Sequence, residues 1–169
     1  MTPIQSAKTL MRWIRPTWRR IAWLSERTTP FKVQNNGRAF LSMLRHKPEM
    51  SAWPAILKID VSPLCNLECP MCLHGSPKEM PELTDQNLRG KMHVDDFRKI
   101  IEEAKGKVNA VSLYYFGDPY MHPRIDEMCQ MAFDAGINVH LSSNYSFRFS
   151  DDRIAKICRS GVTHLTVCV

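Results

Sequence analysis

An α/β fold built on a parallel sheet is predicted by three features of the sequence. Strand-like apolar runs begin near residues 110, 137 and 164, a constant period of 27 residues. Each interval contains a stretch with helical apolar spacing that ends at a glycine, Gly136 and then Gly161. One strand, one helix and two short loops fill such a period, and repeated units of this kind give parallel strands with right-handed crossovers. The third feature is a run of cysteines placed directly after an earlier strand-like segment. In parallel α/β folds, sites lie beyond the C-terminal ends of the strands.

The elements follow in order. Residues 1–29 carry Trp13, Ile14, Trp18, Ile21, Ala22 and Leu24 among arginines, several at helical spacing, with Pro16 interrupting the pattern. Thr29-Pro30 is read as the end of that segment. Ala39, Phe40, Met43 and Leu44 suggest a second short helix that stops before Pro48. Ile56 to Val61 is the first strand, ended by Ser62-Pro63 and followed at once by the cysteines. Residues 73–93 are polar and turn-rich, and are expected to form a long loop on the cysteine face. Asp95 or Asp96 is expected to cap a helix whose apolar face is Phe97, Ile100, Ile101 and Ala104. Ala110 to Phe116 is the second strand, with Tyr114 and Tyr115 facing opposite sides. Ile125, Met128, Cys129, Ala132 and Phe133 mark the next helix, and Ile137 to Ser142 the third strand. Ser150 or Asp151 opens a helix with Ile154, Ile157 and Cys158 inward, and His164 to Val169 is the fourth strand.

Two domains follow from this reading: a basic helical extension over 1–50 and a core over 54–169. The net charge is +6, yet residues 1–50 hold ten lysines and arginines against only Glu26 and Glu49. The remainder is therefore slightly acidic, and the basic character belongs to the extension. Packing of its aromatics on the core or a partner is the first reading. Peripheral contact with an anionic membrane comes second, and nucleic acid, which is not expected as a partner, last. No run of 18 apolar residues occurs, so no transmembrane helix is expected. Arginines interrupt any signal-like stretch, and six cysteines without a signal peptide point to reduced thiols in the cytoplasm.

Cys65, Cys69 and Cys72 lie within eight residues. They read as three thiolate ligands of one [4Fe–4S] cluster, which usually takes four cysteines. The next cysteine is Cys129, so one iron would keep an open position, as in a catalytic site. Zinc is the competing reading, with His74 as a fourth ligand, and buried thiols are another. Cys129 and Cys158 are expected in the core, while Cys168 could point into the barrel. His122 is expected as a loop or capping histidine rather than a catalytic base.

The motif Cys65-x-x-x-Cys69-x-Met71-Cys72, preceded by Asp60-Val61-Ser62-Pro63-Leu64, resembles the cluster motif of the radical SAM superfamily. Gly117-Asp118-Pro119 is similar to that family's Gly-Gly-Glu-Pro, and Ser142-Ser143-Asn144 to its Ser-Thr-Asn. The resemblance covers about residues 54–169 and is closest to members with a SPASM-type C-terminal domain, which modify peptides or small molecules. It implies a partial (β/α)6 TIM-like barrel, here truncated after the fourth strand, as in a fragment or shortened reading frame. It implies S-adenosyl-L-methionine (AdoMet) as cofactor on the open iron. Reductive cleavage of AdoMet would give a 5′-deoxyadenosyl radical that abstracts hydrogen from a small-molecule or peptide substrate. It also implies an electron donor of the flavodoxin or ferredoxin kind. By the same resemblance Met71 would lie against the adenine, Gly117 and Asp118 would receive the methionine ammonium, and Ser142 and Asn144 would face the ribose and carboxylate. The chain departs from the family pattern in three places: Phe116 for the first glycine, Asp118 for glutamate, and Tyr145 for the glycine after asparagine. A non-catalytic iron–sulfur or zinc scaffold, or a partner-binding fragment, is the alternative.

Overall fold

Among the described residues four strands hydrogen-bond side by side in chain order: β1 (Ile56–Lys58), β2 (Ala110–Ser112), β3 (Asn138–Ser143) and β4 (His164–Val167). Every pairing is parallel, with Leu57 opposite Val111, Val111 opposite Val139, and Leu141 opposite Leu165. The computed structural model describes residues 22–46, 48–70, 72 and 90–168. The crossovers are α2 (Val94–Ala104), α3 (Ile125–Asp134) and α4 (Asp151–Arg159), and α1 (Pro30–Leu44) precedes the sheet. This is the four-stranded part of a parallel (β/α) barrel.

The core forms where the helices cover one face of the sheet. Phe97, Ile101 and Ala104 of α2 and Ile125, Met128 and Ala132 of α3 pack with Val111, Leu113, Val139 and Leu141, all of them buried. Alternation along the strands sends Ser112, His140 and Thr166 to the other face. There they form a belt: Ser112 Oγ lies 3.4 Å from His140 Nδ1, and His140 Nε2 lies 3.0 Å from Thr166 Oγ1. A cavity of about 270 Å³ opens on that face between Lys58, Tyr114, His140, His164 and Trp23.

Residues 22–46 close the sheet at the N-terminal ends of its strands, opposite the cysteine loop. The Trp23 indole N–H donates to Thr163 Oγ1 at 2.7 Å, and its ring packs against His140 and His164. Asn138 Nδ2 donates to the Trp23 carbonyl at 2.9 Å. The Arg27 guanidinium lies over the Phe133 ring and donates to its carbonyl. Lys32, buried, donates to the carbonyls of Arg27 and Gly136 at 3.0 and 2.8 Å. Burial, with Arg27 nearby, holds the Lys32 ammonium below its ordinary pKa. Asn35 makes a reciprocal pair with the backbone of Trp53.

Several boundaries differ from expectation. Thr29-Pro30 starts a helix rather than ending a segment: Thr29 accepts from the Lys32 N–H and Pro30 takes the first position, where a missing N–H costs nothing. α2 is capped by His93 with no side-chain bond, and Asp95 and Asp96 sit in its first turn, where they favour the positive end of the helix dipole. α4 buries only Ile157; Ile154 and Cys158 are exposed, because only one edge of that helix meets the sheet. β1 and β2 are each three residues long, since the chain bends away at their C-terminal ends to build the loops described next. Residues 73–89 lie outside the described residues.

Candidate functional site

The site is assembled from the loops that follow β1, β2 and β3. After β1 the Ile59 N–H still donates to the Ser112 carbonyl at 2.9 Å, and Val61 and Ser62 are buried. The chain then rises into the cysteine loop. Cys65 and Cys72 are half-buried and Cys69 is exposed, all three as free thiols. The Cys72 N–H donates to the Cys69 carbonyl at 2.9 Å, which turns the loop back on itself.

The loop after β2 lies directly on this segment. A side chain at Gly117 would put its Cβ 2.5 Å from the Pro63 carbonyl carbon and closer still to the Ser62 and Leu64 oxygens. Only glycine fits there, because the obstruction is backbone. The next residue fastens the contact: the Asp118 N–H donates to the Leu64 carbonyl at 2.8 Å. The Phe116 N–H reaches Asp60 Oδ2 at 3.4 Å.

Asp118 is 2% exposed. Its Oδ1 accepts from the Tyr120 N–H at 3.0 Å and so caps the short 3-10 turn Pro119–Met121. Its Oδ2 accepts from Ser143 Oγ at 2.7 Å and from the Asn144 N–H at 2.9 Å. One carboxylate thus ties the loop after β2 to the loop after β3. Asn144 carries the connection back to the cysteines: its Nδ2 donates to Cys65 Sγ at 3.6 Å and to Asn66 Oδ1 at 3.0 Å. Ser146 closes the ring by donating from its N–H and hydroxyl to Asn144 Oδ1 and accepting from Asn66 Nδ2.

Cys65, Gly117, Asp118 and Asn144 are therefore brought together from three loops. Ser142 points elsewhere: it faces the open side of the sheet, its Oγ 3.3 Å from Cys168 Sγ. Its neighbour Ser143 is the one that meets Asp118, a consequence of the two-residue alternation of a strand. Met71 lies outside the described residues. Sequence reasoning gave Ser143, Asn66 and Ser146 no role in the site; the strand alternation carried the signal for Ser143, the place of Asn66 inside the cysteine motif carried one for it, and nothing local marked Ser146.

Tyr145, which stands where the family pattern has glycine, has φ 51°. The left-handed backbone is kept although the residue is not glycine, at a cost of about 1 kcal/mol. Its ring packs edge-on against Tyr120 and Phe149, at 6.0 and 5.2 Å between centroids, which offsets that cost.

His122 is buried behind the site and bonded at both nitrogens. Nε2 donates to the Met92 carbonyl at 3.0 Å, and Nδ1 accepts from the Arg124 N–H at 3.2 Å. That pattern needs the neutral ring. Burial, with Lys91 and Arg124 nearby, lowers its pKa from the ordinary 6.5 against the opposing bond to Met92. A depressed folded-state pKa gives stability that is intact above the unfolded value and lost as pH falls through it toward the folded one. Urea unfolding should therefore show stability declining below pH 6.5, and His122→Gln should be less stable at neutral pH but show a shallower decline.

The thiols fit a thiolate-bound cluster by donor chemistry and by place. They are accessible, they lie in one short loop, and Cys65 already receives an N–H, unlike Cys129, whose burial pushes its thiol well above the ordinary range. Among the described residues, no three His, Cys, Asp or Glu side chains converge as a ready metal cage.

No family model matches the chain. A curated relative, the AdoMet-dependent heme synthase of Methanosarcina barkeri, is 23% identical over 120 residues, covering 71% of this chain and 32% of that protein. The tungsten-containing aldehyde ferredoxin oxidoreductase cofactor-modifying protein of Pyrococcus furiosus is 28% identical over 111 residues, covering 63% and 28%. The chain spans about a third of the length of these relatives. Among solved structures, BtrN in complex with AdoMet and 2-DOIA matches with a TM-score of 0.57 and 16% identity, over 70% of this chain and 46% of that one. Streptococcus suis SuiB bound to S-adenosylmethionine matches with a TM-score of 0.55 and 20% identity, over 96% and 37%. The chain is thus similar in sequence to an AdoMet-dependent heme synthase and to a cofactor-modifying protein, and it shares its parallel part-barrel fold with two proteins whose structures were solved with AdoMet bound.

Proposed function

We propose that the chain carries the cluster-binding front of a radical SAM enzyme, with Cys65, Cys69 and Cys72 as thiolate ligands of a [4Fe–4S] cluster and AdoMet on the open iron. When bound, the cluster and AdoMet supply one-electron cleavage of AdoMet and hydrogen abstraction from a substrate. The observation that carries this reading is the bond network running from Asp118 through Asn144 to Cys65, which joins the three loops where that cofactor pair would sit.

The chain's own residues supply position. Gly117 lets two backbones touch and so sets the height of the cysteine loop. Asn144 donates to Cys65 Sγ, and hydrogen bonds to cluster sulfurs raise the reduction potential. Met71 is assigned to the adenine, Gly117 and Asp118 to the methionine ammonium, and Ser142 and Asn144 to the ribose and carboxylate. The carboxylate of Asp118 already accepts three bonds, so an ammonium group would use the one lone-pair site left of about four.

A peptide or small molecule is the proposed substrate class, in a SPASM-type enzyme. The support is that SuiB has been solved with its precursor peptide SuiA and BtrN with 2-DOIA. A flavodoxin- or ferredoxin-like donor is the proposed electron source, and the cytoplasm, where thiols stay reduced, the proposed compartment. Among the described residues no helix is long and apolar enough to cross a membrane.

Iron and sulfide content after anaerobic reconstitution tests the ligand assignment. Cys69→Ala should lose the cluster, with iron falling by about tenfold or more. Cys129→Ala should keep it, because that thiol is buried in the core. Equal iron loss in the two variants contradicts the assignment, as does bound zinc with no iron in the parent chain.

A further inference from the structure

Helix α1 is mounted with its polar side inward. Its buried residues are Lys32, Asn35 and Ser42, which face the floor of the barrel. Its large apolar side chains face out: Val33 and Met43 are each 60% exposed, and Phe40, Leu41 and Leu44 are about half exposed. At 100° per residue these five occupy one arc of the helix, on the side away from Asn35 and Ser42. Arg38 and Arg45 are exposed beside that arc. The helix contains no aspartate or glutamate.

This arrangement is the reverse of a helix that stabilises its own domain, which turns its apolar side to the core. Two of the inward polar groups are tied down: Lys32 by two carbonyls and Asn35 by the Trp53 backbone. The helix is therefore fixed in place with its apolar side outward. Arg38 and Arg45 are the exposed charges of this face, whereas Lys32 is buried and Arg27 is engaged with Phe133. An apolar strip flanked along one edge by arginine, on a helix of about 22 Å, matches a helix lying in a lipid interface. An antiparallel second copy of this face would set the two arginine edges side by side, at a cost in repulsion.

We propose that α1 docks the protein on an anionic phospholipid surface, with Val33, Phe40, Leu41, Met43 and Leu44 among the acyl chains and Arg38 and Arg45 at the headgroups. The helix lies at the opposite end of the barrel from Cys65, so docking leaves the cysteine face open to cofactor and substrate.

Vesicle flotation of the full 169-residue chain tests this. The chain should float with vesicles of equal parts phosphatidylglycerol and phosphatidylcholine, and much less with phosphatidylcholine alone. Phe40→Glu with Leu44→Glu should cut the bound fraction by about tenfold or more, with circular dichroism unchanged. The milder pair Leu41→Ser and Met43→Ser should give a smaller loss in the same direction, and serves if the glutamate pair does not fold. Arg38→Glu with Arg45→Glu should weaken binding and flatten its salt dependence. Equal flotation of parent and apolar-face variants would overturn the proposal, and would place any binding in residues 1–29. A dimer that the variants turn into a monomer, with no change in flotation, would overturn it in favour of a second copy. Release of a bound acidic protein by the variants, with no vesicle binding by the parent, would overturn it in favour of a protein partner.

Discussion

Gly117→Ala should lower the iron that the chain retains after reconstitution by about tenfold, while leaving a folded sheet. The added methyl would meet the carbonyls of Ser62 and Leu64 and the backbone of Pro63. These atoms cannot rotate away as a side chain can. The loop after β2 must therefore lift off the cysteine loop, and the Asp118 N–H loses the Leu64 carbonyl. Overpacking of this kind costs about 1–3 kcal/mol, so urea unfolding should shift by that amount. Gly117→Val should be worse on both measures. Unchanged iron retention in Gly117→Ala would show that the height of this loop does not matter to the site.

Asp118→Ala is expected to do more to stability. Removing the carboxylate strands the Tyr120 N–H, the Ser143 hydroxyl and the Asn144 N–H in a place that is 2% exposed. Unmet buried donors of this sort cost about 1–3 kcal/mol each, and partial relaxation should leave a net loss of about 3 kcal/mol. The loss should propagate, because Asn144 would no longer hold its amide toward Cys65. Asp118→Asn separates charge from geometry. It keeps an oxygen acceptor, so it should recover part of the stability, with Ser143 turning its hydroxyl to accept. Equal stability of Asp118→Ala and the parent, measured by urea unfolding, would contradict the bridging role.

The fold was legible because its two periods were clean. The 27-residue recurrence placed β2, β3 and β4, and the glycines that end α2, α3 and α4 all adopt positive φ. What the sequence obscured was the inward or outward sense of individual residues. Cys158 reads as core by helical spacing, yet α4 offers only Ile157 to the sheet. Phe40, Met43 and Leu44 mark a helix correctly, but nothing in their spacing reveals that the polar side is the one that docks. That preference comes from partners far along the chain, the Gly136 carbonyl and the Trp53 backbone, and a local pattern cannot contain them.

The meeting of the three loops was legible at Cys65, Gly117 and Asn144 because each answers to a constraint of type: a thiol, a residue without a side chain, an amide. Asp118 was recognised as an acceptor, but its donors were not. They come from β3 and its loop, and the choice of Ser143 over Ser142 depends on which face of the strand each presents. Tyr145 shows the reverse case. The resemblance expected glycine there, and the backbone adopts the conformation that glycine favours, with aromatic packing holding a tyrosine in it.

Cys65, Cys69 and Cys72 are proposed to leave one iron of the cluster open for AdoMet. Electron paramagnetic resonance of the reconstituted, reduced chain tests it most directly, recorded before and after AdoMet is added. A [4Fe–4S] signal is expected whose shape changes on addition, since a new ligand on one iron alters its electronic environment. A cluster that forms and gives the same spectrum with and without AdoMet would contradict it.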